Sequence, residues 1–152
     1  MTTQNGKMFA LSLWALMTVG CGAPDASLLT HPKRTFAFPM YVTVPGTTSG
    51  SGSLLQISDS DGESESTVKE LLTGLDFPAG LTVQTNGTIY FIERPTPTTG
   101  SVMRLDAGAS AAVEVATSLT TPEGVALDRA NRLYVTERTL SRVSAVKNDG
   151  TF

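Results

Sequence analysis

The sequence predicts an all-β protein built from repeated four-stranded antiparallel units. Three observations predict it. Distinctive residues recur at a single spacing of 44. Short runs of alternating apolar residues are punctuated by Gly, Asn, Asp and Pro, the pattern of strands and turns. No run after residue 23 sustains helical spacing.

The N-terminus reads as a targeting segment rather than as part of this fold. Residues 1–8 are polar and carry Lys7, and residues 9–20 form an apolar run ending at Gly20-Cys21-Gly22-Ala23-Pro24. A spanning helix takes about 20 residues, so this run fits the apolar region of a signal peptide, expected to be a helix. Cys21 is the only cysteine. An intrachain disulfide and a Cys-based zinc site are therefore excluded. Its place after small Gly20 resembles a bacterial lipoprotein processing site, although Thr18 stands where that family usually has Leu. The resemblance implies lipidation of Cys21 and a membrane-anchored protein of the periplasm or cell surface. Ordinary cleavage after Ala23, giving a secreted chain, is the alternative. The expected organisation is a signal peptide over 1–21, a linker over 22–35 and a β domain over 36–152.

Two segments of the β domain align without a gap. Leu75 to Arg94 matches Leu119 to Arg138, pairing Pro78 with Pro122, Gly80 with Gly124, Tyr90 with Tyr134, Glu93 with Glu137 and Arg94 with Arg138. After the Glu-Arg pair the first copy carries extra turn residues, Pro95 to Gly100. The pattern then resumes as Ser101 to Leu105 in one copy and Arg142 to Val146 in the next. A partial copy precedes both. Tyr41 to Val44 corresponds to Tyr90 to Glu93, and Ser53 to Ile57 corresponds to Ser101 to Leu105, with no Pro-x-Gly half. The repeats span about 36–74, 75–118 and 119–152.

In the middle repeat the strands are expected near 81–84, 88–92, 101–105 and 112–116. Asn86-Gly87 signals a hairpin of type I′, whose two central residues both need positive φ. Asn131 stands in the same turn region of the next copy.

Four strands per repeat of this length is the arithmetic of a β-propeller. The pattern of Pro-x-Gly, an apolar strand, a Gly- or Asn-containing turn and Ile/Leu-Tyr-x-x-Glu resembles the NHL repeat. It is equally similar to six-bladed propellers of the gluconolactonase and regucalcin type. The expected fold is thus an incomplete β-propeller of about two and a half blades. Propellers have four blades or more, so ring closure is expected to need missing blades or self-association.

The resemblance implies two functional classes. One is an extracytoplasmic binding or interaction module, with a protein or small-molecule ligand and no catalysis of its own. The other is part of a metal-dependent lactonase. In gluconolactonase-type propellers, metal-binding residues stand beside the Gly that opens the innermost strand. Glu123, between Pro122 and Gly124, falls on such a position, and the cofactor implied is a divalent cation, calcium or zinc, held in a complete ring. Ala79 occupies the equivalent place one repeat earlier and offers no ligand atom. No catalytic residue is assigned.

Other candidates read as architecture. Asp59-Ser60-Asp61-Gly62-Glu63 with Glu70 resembles a calcium loop, but Ser64 stands where the loop needs Gly. Asp106-Ala107-Gly108 and Asn148-Asp149-Gly150 recur at the same place, as turn residues do. The Glu93-Arg94 and Glu137-Arg138 pairs are expected to bond nearby backbone or Arg groups, or else to line a charged rim that binds a polar ligand. His31, the only histidine, lies in a Pro-flanked linker. Formal net charge is −3 and the basic residues are scattered, which excludes a nucleic-acid footprint.

Overall fold

A computed structural model describes residues 39–59 and 66–147, which fall within one compact unit, Thr35–Phe152. The expected signal peptide, Cys21, the 22–35 linker with His31, Asp61-Gly62-Glu63 and Asn148-Asp149-Gly150 lie outside the described residues. The described residues form ten strands: β1 (Met40–Val44), β2 (Gly52–Asp59), β3 (Ser66–Leu75), β4 (Leu81–Val83), β5 (Ile89–Glu93), β6 (Thr99–Leu105), β7 (Val113–Thr120), β8 (Pro122–Leu127), β9 (Leu133–Glu137) and β10 (Arg142–Val146). Helices are absent among the described residues.

The strands form three open antiparallel sheets in the orders β1-β2-β3, β4-β5-β6-β7 and β10-β9-β8. The middle sheet has the four strands expected for its repeat, close to the expected positions. Among the described residues the first sheet has three strands, matching β5, β6 and β7 in order; the segment preceding β1 lies outside them. Within the third sheet the described strands match β4, β5 and β6 in order.

Sheet pairing brings the repeat into register. Glu93 lies opposite Ser101, and Glu137 lies opposite Arg142. Tyr41 faces Gln56, Tyr90 faces Arg104, and Tyr134 faces Ala145. Side chains alternate between the faces of a strand. In β5 the neighbours Phe91 and Ile92 are both fully buried, one on each face. Phe91 joins Leu54, Leu75, Ile89 and Leu105 in the core between the first and second sheets. Ile92 joins Val102, Leu119, Val125, Leu133 and Val135 in the core between the second and third. The middle sheet is therefore covered on both sides, and β5 reads as the continuous apolar run Ile89 to Ile92 for that reason.

The backbone repeats more faithfully than the side chains. Left-handed residues occur in pairs 44 apart: Gly74 (φ 74°) with Ser118 (59°), Phe77 (42°) with Thr121 (47°), and Gly87 (87°) with Asn131 (59°). The last pair corrects the expected type I′ turn. Asn86 does not take positive φ; only Gly87 does. The Gly87 N–H donates to the Gln84 carbonyl at 2.9 Å, and the Gln84 N–H to Thr88 at 2.8 Å. This is a three-residue loop, a type I turn closed by a left-handed residue. Asn131 closes the next copy identically, with its N–H on the Asp128 carbonyl at 2.9 Å.

Candidate functional site

The recurring Pro-x-Gly and Glu-Arg segments meet at one edge of the second and third sheets. Gly80 enters β4 where the chain passes close to β8, and its N–H donates to the Glu123 carbonyl at 3.1 Å. A Cβ on Gly80 would stand 2.6 Å from that carbonyl oxygen, so this approach requires glycine. Gly124 donates its N–H to Thr136 Oγ1 at 2.8 Å. The pairing of β8 with β9 shifts register between Pro122 and Gly124. Glu123 sits in that irregularity, and bulges re-aim side chains.

The Glu123 carboxylate pairs with Arg138 Nε at 3.1 Å, both side chains being exposed. An exposed pair of this kind contributes about 0–1 kcal/mol. Ala79, its counterpart, packs against the core between the second and third sheets. Among the described residues no group of three or more His, Cys, Asp or Glu side chains is placed to hold a metal ion. Glu70 lies in β3 and accepts a hydrogen bond from Ser53 Oγ at 2.8 Å. The Asp106 backbone carbonyl accepts the Ala109 N–H at 2.9 Å, with Gly108 at φ 78°, in an ordinary turn, and its carboxylate pairs with Arg104 Nε at 3.2 Å.

The two recurring glutamates do the same structural task. Glu93 Oε1 accepts the Asp76 N–H at 2.7 Å, and Glu137 Oε2 accepts the Thr120 N–H at 2.8 Å. Each carboxylate thus ties down the segment that leads into its own repeat. Glu137 goes further. Its other oxygen accepts from Arg142 Nε at 2.7 Å and Ser144 Oγ at 2.9 Å, and the side chain is 1% exposed. Burial, the largest single influence, pushes its pKa up. The Arg142 hydrogen bond, the Thr120 N–H, the Ser144 hydroxyl and the Arg142 charge together outweigh burial and hold it below its usual value.

The partner arginines take a different course. Arg94 and Arg138 line one cleft of about 290 Å³ with Phe77, Thr96 and Pro97. Arg94 Nε is buried there without a hydrogen-bond partner. The Arg94 N–H donates to the Asp76 carbonyl at 2.7 Å, and the Arg138 N–H to the Thr121 carbonyl at 3.0 Å, which fixes where both stems begin. Two guanidinium groups beside a Thr and an aromatic ring can hold an anionic or polar group. The repeated Arg in the sequence was the only trace of this cleft, which Phe77, with its positive φ, also lines.

Neither the protein-family models nor the curated proteins give a match to this sequence.

Proposed function

We propose that the chain is an exported, lipid-anchored binding or interaction module of the NHL-like propeller kind. The cleft between Arg94 and Arg138 is the observation that carries a binding role. Its arginines converge from two successive repeats, while the glutamates beside them are bonded into their own sheets. The ligand that such a cleft suits is anionic or strongly polar. The propeller reading is supported by three sheets that repeat one backbone pattern, and the anchor by the position of Cys21 after its apolar run.

Two measurements test this. Calorimetric titration with small carboxylates and sugar acids is expected to give saturable binding that weakens at least tenfold in Arg94→Gln. Binding unchanged in that variant would remove the cleft from the account. Mass spectrometry of the mature N-terminus is expected to find diacylglycerol on Cys21, and a mature chain starting at Pro24 would remove the anchor.

A second reading, part of a metal-dependent lactonase, is favoured by one feature. Glu123 keeps an exposed carboxylate beside Gly124, at the start of β8. It requires further oxygen ligands to complete a cation shell.

A further inference from the structure

Among the described residues, two clefts are built alike, one at each junction between neighbouring sheets. Each sets a tyrosine and its cross-strand neighbour against an apolar pair on the next sheet. In the first cleft these are Tyr41 and Gln56 against Ile89 and Leu105. In the second they are Tyr90 and Arg104 against Leu133 and Val146. Gly87 lines the first cleft and Asn131 the second, so both open at the end of the sheets where those turns lie. From these turns β5 and β9 run to Glu93 and Glu137 at the far end, beside Arg94 and Arg138. The junction clefts are therefore remote from the cleft those two arginines line.

The backbone plan is shared and the charge is not. Arg104 stands where the first cleft has Gln56, and Lys147, the residue after β10, stands where it has Asp106, the residue after β6. The first cleft sets Glu70 and Asp106 against Lys69. The second is lined by Arg104, Arg132 and Lys147, with no acidic side chain among its lining residues. A groove that recurs with the repeat is architecture. A reversal of charge in one copy is not required by the architecture.

Arg104 is the centre of this cleft. Asp106 Oδ1 lies 3.2 Å from its Nε, but the two are not aligned as a hydrogen bond, and that nitrogen is buried without a hydrogen-bond partner. A buried guanidinium N–H left unmatched carries a free-energy cost that a bound acceptor removes. Arg94 Nε is in the same condition in the cleft at the other end. Arg132 is bonded to Asp128 through Nε at 2.6 Å, which engages one donor of its fork. Beneath these cations the walls are apolar. Tyr90, Val115 and Val146 pack against the core between the two sheets, and Leu133 belongs to it. The cleft encloses about 400 Å³, and small-molecule sites take about 300–1,000 Å³.

We propose that this cleft between the second and third sheets is a separate binding site for a small amphipathic anion, a carboxylate carried on a flat apolar ring. The carboxylate takes the Arg104 guanidinium, and Arg132 adds positive charge at the rim. The ring rests among Tyr90, Val115 and Leu133. The site needs only the second and third sheets. It is independent of the Arg94–Arg138 cleft and of the propeller reading.

Nuclear magnetic resonance titration of the full chain with benzoate tests this. Saturable shifts are expected at the amides of Tyr90, Arg104 and Asn131 to Leu133. Arg104→Gln is expected to weaken benzoate binding about tenfold, the loss of a charge-assisted hydrogen bond. Arg94→Gln is expected to leave binding at these amides unchanged. Arg132→Gln, at an exposed position, is expected to weaken it about threefold, and it serves where Arg104→Gln does not fold. Acetate, which lacks the ring, and benzyl alcohol, which lacks the charge, are each expected to bind about tenfold more weakly than benzoate. Absence of saturable shifts at these amides would overturn the site, and so would benzoate affinity unchanged in folded Arg104→Gln and in Arg132→Gln. Acetate or benzyl alcohol binding as tightly as benzoate would overturn the ligand class. Shifts confined to the surroundings of Arg94 and Arg138 would overturn this site and leave the other cleft standing.

Discussion

Glu137 accepts the backbone N–H of Thr120 at 2.8 Å, and it does so from a side chain that is almost wholly buried. One repeat earlier Glu93 holds Asp76 in the same way. A carboxylate used like this is a strut between strand end and strand entry. Glu137→Ala leaves the Thr120 N–H and the Ser144 hydroxyl without their acceptor and Arg142 without its partner. The expected cost is about 3 kcal/mol. Glu93→Ala removes the hydrogen bond to the Asp76 N–H at a half-buried site and is expected to cost about 1 kcal/mol. Urea denaturation of both variants checks the order.

The same carboxylate makes stability depend on pH. The Glu137 pKa is lowered in the folded protein from its ordinary 4.5. A depressed folded-state pKa means that the unfolded chain takes up the proton first as pH falls. The stabilisation is fully present above about 4.5 and is lost as pH drops from there through the folded-state value. Glu137→Gln is expected to be less stable at neutral pH and to lose less on acidification than the wild type. Thermal melts between pH 7 and pH 3 measure it, and parallel curves would contradict it.

Gly100 and Gly80 mark where backbones and prolines pass too closely for a side chain. A Cβ on Gly100 would lie 2.7 Å from both the Glu93 carbonyl oxygen and Pro122 Cγ. On Gly80 it would lie 2.6 Å from the Glu123 carbonyl oxygen. Alanine at either position is expected to cost about 1–3 kcal/mol, read from chemical denaturation. Gly124→Ala, whose nearest neighbour is Thr136 Oγ1 at 3.0 Å, is expected to cost less.

Asn131 does the work of Gly87 with a side chain attached. Its φ of 59° lies in the left-handed region, where Asn is tolerated and a β-branched residue is not. Asn131→Gly is expected to leave stability within about 0.5 kcal/mol. Asn131→Val is expected to lower it by about 1–2 kcal/mol. Paired thermal melts decide the matter.

Much of the fold was legible before the structure. The strands over 81–83 and 89–93 follow from short apolar runs broken by Pro78 and by Asn86-Gly87. The glutamate struts were legible as a repeated residue expected to bond backbone or Arg. Their partners were not, because the register that sets Glu137 opposite Arg142 depends on a shorter hairpin loop than the one between Glu93 and Ser101. The turn at Gly87 was placed correctly and typed wrongly, since Asn86-Gly87 suits more than one hairpin loop. Phe77 and Thr121 were illegible for a local reason. A residue before proline favours extended backbone, yet both take positive φ. Tertiary packing overrides local preference there, and Phe77 lines the Arg94–Arg138 cleft. The reach of Glu123 toward Arg138 was likewise hidden, because it needs the register shift at the start of β8.

The central functional claim is that the recurring carboxylates serve the architecture and that the chain binds rather than turns over its ligand. Lactone hydrolysis measured with calcium, with zinc and with chelator, for wild type and Glu123→Ala, tests it most directly. The account predicts no metal-dependent turnover above the buffer rate in either protein. Metal-dependent turnover by the wild type that disappears in Glu123→Ala would contradict it.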